Sequence, residues 1–234
     1  MNFTVAAFDI GGTLMEYKDM PYCWLDFYEN AFRQMRDKLS LPLSDEDLKK
    51  SDEVLRSYNP RINYRETDYT PEHIFKDVTA HWDFEFSLPD VIKEFWLAFG
   101  LTPYTYPETE TVLGRLKALG VKIATLTDVA SAMPDEMHKS YFHNLMPYFD
   151  LYVSSLSCGY RKPNPKGLED IAKHFNVSAQ DIIFIGDEPK DVETAKRFGC
   201  KSVLIDRNNN GAYQGQDFTV RNLKEIEKFF ERQN

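Results

Sequence analysis

Apolar residues recur along this chain with two periods, and the change from one to the other divides it. From residue 104 to 231, helix-period and strand-period segments alternate. ETVLGRLKALG places Val112, Leu113, Leu116 and Leu119 on one helical face and stops at Gly120, after which VKIATLTD is a continuous apolar strand. DLYVSS (150–155) leads through a loop to a helix with Leu168, Ile171, Ala172 and Phe175 on one side, then to the strand DIIFIGD (181–187). A last helix carries Val192, Ala195 and Phe198, ends at Gly199 and delivers KSVLID. Upstream, AAFDIGGTLM (6–15) closes a first apolar strand at Asp9. Strands apolar on both faces and joined by helices predict a parallel sheet covered on both sides.

Between these parts the texture changes. Trp24, Phe27, Tyr28, Ala31, Phe32 and Met35 recur at helical spacing, as do Leu88, Val91, Ile92, Phe95, Trp96 and Phe99. Weaker amphipathic helices run from Leu48 to Leu55 and from Ile74 to Trp82, and strand alternation is missing. The expected class is therefore α/β: a Rossmann-like parallel sheet with helices on both faces, built from 1–15 and 101–234, interrupted by an all-helical cap at 16–100. Its aromatics read as bundle core. Pro21, Pro103 and Pro107 mark expected hinges at Met15–Tyr22 and Phe99–Pro107.

Bulk chemistry narrows the partners. The 234 residues are 42% hydrophobic, which supports a substantial core, and carry a formal charge of −9, which argues against nucleic acid or an anionic membrane surface. No apolar run reaches the roughly 18 residues that span a bilayer. MNFTVAAFDIGG lacks a basic leader and reads as a strand rather than a secretion signal. Cys23, Cys158 and Cys200 form no CxxC pair, which fits reduced thiols and a cytoplasmic setting. Monomer and homodimer are both compatible with the sequence.

Ligands of open α/β sheets bind at the carboxyl ends of the strands. Four such ends carry polar groups here: Asp9 with Thr13, Thr127 with Asp128, Arg161 with Lys162 in CGYRKPNP, and Asp187 with Asp191 in GDEPKD. A single Asp after a strand is commonly a cap or turn residue. Four in series point to one site.

This set resembles the haloacid dehalogenase superfamily of hydrolases, most of whose members are phosphatases. Its Asp-x-Asp-Gly-Thr motif is matched by Asp9-Ile10-Gly11-Gly12-Thr13, except at the second Asp. The Thr or Ser ending a strand is Thr127, followed by Asp128 where Asn is frequent; the Lys is Lys162, and the acidic motif is Gly186-Asp187 with Asp191. The resemblance covers the chain, including a helical cap after the first motif.

The chemistry that follows is phosphoryl transfer, which needs an in-line nucleophile, a cation and donors to the oxygens. Asp9 would attack phosphorus and form an aspartyl phosphate. Mg²⁺ prefers oxygen ligands, which Asp9, the Gly11 carbonyl and Asp187 can supply, with Asp191 orienting them. Lys162 would offset the negative charge. Thr127, Thr13 and the backbone NH groups around Gly12 would donate to the phosphoryl group. Arg161 reads as a solvent-facing neighbour.

In the resembling phosphatases the second Asp of the first motif protonates the leaving alcohol and later deprotonates water. Gly11 can do neither, a loss of about 3–5 kcal/mol of barrier lowering. Three readings remain open: a phosphatase of small metabolites that favours leaving groups needing no proton, such as acyl, anomeric sugar or phenolic phosphates; a carbon–halogen or carbon–phosphorus hydrolase, since those relatives also lack that Asp; and a weakened phosphometabolite-binding protein. Asp128 is a candidate replacement base or a structural cap. A phosphonatase would need a cap lysine, for which Lys49 and Lys50 are candidates in a stretch that reads as a solvated helix. Arg61 and Arg65, in the loop 57–69, could clamp a second anionic group of a substrate, or Arg65 could pair with Glu66 or Asp68. The five histidines form no ligand-spaced cluster and read as surface or helix-packing residues.

Overall fold

The fold is taken from a computed structural model, which describes residues 3–21, 23–211 and 213–230. Strand β1 (Val5–Phe8) is buried on both faces. Val5 and Ala7 enter one apolar cluster, with Leu168, Ile171 and Ala195, while Ala6 and Phe8 enter another, with Val112, Leu113 and Leu116. That division is the two-residue period of a strand between two helical layers. After β1 come β2 (Met15–Tyr17), α1 (Tyr28–Leu39), α2 (Asp45–Ser57), α3 (Pro71–Val78), α4 (Leu88–Leu97) and β3 (Pro103–Thr105). The chain continues through α5 (Thr109–Ala118), β4 (Lys122–Thr127), α6 (Asp135–Ser140), β5 (Leu151–Ser154), α7 (Ser155–Cys158) and α8 (Lys166–Phe175). It ends with β6 (Ile182–Gly186), α9 (Pro189–Phe198), β7 (Lys201–Ile205) and β8 (Phe218–Val220).

The main sheet has the order β5-β4-β1-β6-β7-β8, every pair parallel. Because β1 sits between β4 and β6, chain order reverses direction at β1. The carboxyl ends of these three strands therefore open on the crevice where ligands of such sheets bind.

Helices α1 to α4 lie between β2 and β3 in the chain and pack on one shared core. Their core includes Phe32, Phe75, Phe95 and Trp96, with the Phe32 and Phe95 rings 4.7 Å apart. The helix starts have sequence causes: Ser44 and Thr70 cap α2 and α3, and Pro71 occupies a first-turn position where no amide donor is needed. The same cluster takes in Val129, Ala132 and Met133 from the loop after β4, and the Trp96 indole donates to the Ala132 carbonyl at 2.8 Å.

Two expectations need correction. Glu16 and Tyr17, placed in an all-helical segment, lie in β2, which pairs antiparallel with β3 through Met15–Thr105, Glu16–Tyr104 and Tyr17–Pro103. This ribbon runs along both expected hinges; Tyr22, the end of the first hinge, lies outside the described residues. A three-residue strand is too short to show alternation. Leu119, assigned to the buried face of α5, is 54% exposed because it follows the last helical turn.

Candidate active site

Backbone geometry at the end of β1 brings the site together. Asp9 is only 6% exposed, and its backbone N–H donates to the Ile185 carbonyl at 2.9 Å, which fixes it beside the end of β6. Gly12 adopts a left-handed φ of 77°, and a Cβ there would collide with the Asp187 carboxylate. Glycine is thus required for that approach. Nothing lies within 4 Å of where a Gly11 side chain would begin, so at position 11 glycine is a chemical difference rather than a steric need.

Oxygen atoms of Asp9, Asp187 and Asp191 lie within 4.8 Å of one another. Burial and the neighbouring carboxylates push Asp9 up to about 7 and Asp187 up to about 8. One buried cation faces this group: Lys162 Nζ donates to Asp9 Oδ1 at 2.7 Å and to Asp191 Oδ1 at 2.5 Å. Burial would lower the lysine, but Asp191, Asp9 and Asp128 hold it well above its ordinary value. The second Asp191 oxygen accepts the backbone N–H groups of Asp187 and Glu188 at 3.1 and 2.8 Å. Asp191 therefore aligns Lys162 and the first turn of α9 as a unit. Oxygen donors crowded in this way fit a hard divalent ion such as Mg²⁺, which would be held by Asp9 and Asp187 with Asp191 beside them.

The remaining sequence candidates are distributed unevenly. Gly11, Gly12, Thr127, Asp128, Arg61 and Arg65 line the same cavity, about 780 Å³ in volume, as Asp9, Lys162 and Asp187. Thr13 does not: it is fully buried and its hydroxyl donates to Asp187 Oδ1 at 3.1 Å, so it supports a carboxylate rather than meeting a substrate. Asp128 accepts the Lys162 backbone N–H at 3.0 Å and pairs with Lys190 at 3.1 Å. Burial would raise its carboxyl, yet Lys190, Arg161 and Lys162 hold it well below the usual range, which suits a fixed anion and not a base.

Arg65 pairs with Asp68 at 2.9 Å and donates to the Tyr58 and Thr67 carbonyls and to Ser131 Oγ at 3.2 Å. Its guanidinium is spent on structure. Arg61 reaches Glu188 at 3.2 Å across the crevice. Lys49 and Lys50 are exposed on α2, facing Glu53 and Glu46, and do not line the cavity.

Arg161 corrects the sequence reading outright. It is 6% exposed, donates to Asp68 Oδ2 at 2.8 Å and to the Val129 carbonyl at 2.9 Å, and its backbone N–H meets the Glu66 carbonyl. Thr67 and Tyr160 form a bridge beside it, so the loop 66–68 is tied to the loop bearing Lys162.

Three further residues escaped sequence reasoning. Arg207 donates to the Gly12 and Thr13 carbonyls at 3.4 and 2.8 Å while pairing with Glu108 at 2.7 Å, bracing the loop after Asp9. Lys190 bonds Asp128 and Glu188 at the cavity wall. His138, expected as a surface or packing residue, is buried and borders the cavity.

Asp9, Lys162, Asp187 and Asp191 thus converge at the switch point of a parallel sheet. A family model of haloacid dehalogenase-like hydrolases matches residues 3–199, and the chain belongs to that family. It is 34% identical over 100 residues to the phosphoglycolate phosphatase of Neisseria meningitidis, covering 43% of this chain and 42% of that protein. The match thus spans less than half of that relative's length. Against the glyceraldehyde 3-phosphate phosphatase of Methanopyrus kandleri it is 28% identical over 212 residues, 86% of this chain and 82% of the relative. Among solved structures, the HAD phosphatase of Thermococcus onnurineus superposes with a TM-score of 0.64 over 98% of this chain and 97% of that one at 21% identity. The 2-haloacid dehalogenase of Pseudomonas syringae gives 0.69 over 97% of each at 17% identity. At such identities the likeness concerns the fold. Among the described residues, no helix is long and apolar enough to cross a membrane.

Proposed function

We propose that this chain is a Mg²⁺-dependent phosphatase of small phosphorylated metabolites. The observation that carries the reading is the buried contact of Lys162 with both Asp9 and Asp191, beside an Asp187 whose oxygen lies within 4.8 Å of theirs. Bound Mg²⁺ would neutralise phosphoryl oxygens and hold them against Asp9. Asp9 attacks phosphorus, the Asp9 oxygen–phosphorus bond forms, and the bond to the leaving oxygen breaks. Lys162 opposes the upward push of burial on Asp9 and aims its carboxylate, while Thr127 and the amides near Gly12 donate to the phosphoryl oxygens. Water then attacks phosphorus, the Asp9 oxygen–phosphorus bond breaks to return the carboxylate, and inorganic phosphate leaves while the water's proton passes to the phosphate or to solvent. Because Gly11 offers no proton, the leaving group departs as its anion, which favours acyl, anomeric sugar or phenolic phosphates.

The names of relatives support phosphate-ester chemistry, though phosphoglycolate and glyceraldehyde 3-phosphate belong to those proteins. The carbon–phosphorus alternative is disfavoured because the lysines lining the cavity, Lys162 and Lys190, both pair with carboxylates of the sheet side. The carbon–halogen alternative leaves the acidic cluster without a use. The proposed setting is cytoplasmic, as monomer or homodimer, with no nucleic-acid or membrane partner.

Turnover of p-nitrophenyl phosphate with Mg²⁺ and with chelator, beside Asp9→Asn, tests the reading. Mg²⁺-dependent turnover abolished by Asp9→Asn is expected. Absence of turnover in the unaltered protein would leave the phosphometabolite-binding reading in its place.

A further inference from the structure

Beyond its carboxylate floor, the cavity runs to a second wall formed by Tyr17, Met20, Trp24, Met133 and His138. Most of this wall is aromatic or apolar, and Tyr17 stands edge-on to Trp24 at 5.2 Å and to Tyr141 at 5.4 Å. The Tyr17 hydroxyl and the His138 imidazole are among its polar groups. The Tyr17 hydroxyl is sealed from solvent and has no partner among the described residues. His138 is placed by its own partners.

The His138 tautomer follows from its neighbours. Tyr152 donates its single hydroxyl proton to Asp135 Oδ1 at 2.8 Å, and Asp135 is itself paired with Lys139 at 3.4 Å. Tyr152 Oη lies 3.1 Å from His138 Nδ1 and has no second proton to give, so it accepts Nδ1–H. The lone pair of the ring is thereby placed on Nε2. Among the described residues nothing bonds Nε2, and since His138 borders the cavity, Nε2 is the acceptor that this ring has left to offer a ligand there.

We propose that this wall is a subsite for the leaving group of an aryl phosphate, and that His138 Nε2 accepts a hydrogen bond from a hydroxyl carried on that ring. The inference rests on the phosphatase reading and names the substrate class which that reading leaves open. Three features converge on it. Phenolic oxygens depart without a proton, as Gly11 demands. An aromatic ring matches the faces and edges of Tyr17 and Trp24. Burial also lowers the His138 imidazole to about 4, so it is a neutral acceptor at physiological pH. The Asp135–Tyr152–His138 chain fixes which nitrogen accepts; it is a positioning device for recognition.

Calorimetric binding to the Asp9→Asn protein in Mg²⁺ tests the subsite without turnover. The probes are phenyl phosphates bearing a ring hydroxyl at the para or meta position, each against its methyl counterpart. One hydroxyl isomer is expected to bind roughly fivefold to tenfold more tightly than its methyl partner. Adding His138→Phe should bring the ratio to about one, and His138→Gln, which keeps an acceptor, should recover part of it. Tyr152→Phe provides a variant that leaves the imidazole in place but unfixed, and its ratio should fall below that of the parent. Equal binding of hydroxyl and methyl probes, failure of both hydroxyl probes to bind, or a preference untouched by both His138→Phe and Tyr152→Phe would overturn the subsite. Turnover of p-nitrophenyl phosphate by the unaltered protein decides the phosphatase reading separately.

Discussion

Lys162 and Asp9 meet across 2.7 Å between side chains that are 1% and 8% exposed, joining the loop after α7 to the end of β1. Removing one member of such a buried pair leaves the other uncompensated, at a cost of about 3–5 kcal/mol. Lys162→Met should lower stability by an amount of that order in chelator. It should also reduce kcat on p-nitrophenyl phosphate by at least about 10²-fold, as expected when a charge poised at the reacting centre is lost. Thermal melts and kinetics check both. Unchanged turnover would remove Lys162 from the machinery.

Asp68 holds two arginines at once, Arg65 at 2.9 Å and Arg161 at 2.8 Å, and its own side chain is 1% exposed. It links the helical layer to the loop that carries Lys162. Asp68→Ala would bury two guanidinium groups without their carboxylate, so destabilisation of about 3 kcal/mol or more is expected. The looser closure should raise KM more than it lowers kcat. Chemical denaturation and steady-state kinetics measure the two effects, and a kcat loss at constant KM would speak for a direct chemical role.

His138 gives the molecule an acid-sensitive element. Its neighbours are Tyr152, Asp135 and Lys139, and burial dominates, lowering it from 6.5 to about 4. The unfolded chain takes up a proton near 6.5, whereas the folded one resists until about 4. The unfolded state therefore binds more protons in that window, and stability falls as pH drops through it, by about 3 kcal/mol at most. Melting temperature between pH 7 and 4 should fall less steeply in His138→Gln than in the parent; parallel curves would deny the effect.

Residues whose role is local were legible in the chain. The sheet followed from strands apolar on both faces; Asp9 and Asp187 directly follow strands, while Lys162 and Asp191 stand in the connections that leave the strand ends, beyond α7 and in the first turn of α9. Contacts made at a distance were not. Arg161 looked solvent-facing because its carboxylate partner lies 93 positions away in the helical layer. Thr13 looked like a phosphate donor because nothing local shows that its hydroxyl is taken by a carboxylate 174 positions on. Arg207 braces the first loop from 194 positions away. The tautomer of His138 needed a tyrosine from the neighbouring strand β5. Gly11 is the reverse case, since sequence raised the question and the open space around it answers part of it.

The most direct test of the central claim is the dependence of kcat/KM on leaving-group pKa, from phenyl to alkyl phosphates. With Gly11 in place, log kcat/KM should fall steeply as the leaving group becomes more basic. Gly11→Asp, whose Cβ would meet nothing within 4 Å, should flatten that slope and raise alkyl phosphate turnover by about 10²-fold. A flat dependence in the unaltered protein would contradict the account, because it would mean that another group already supplies the proton.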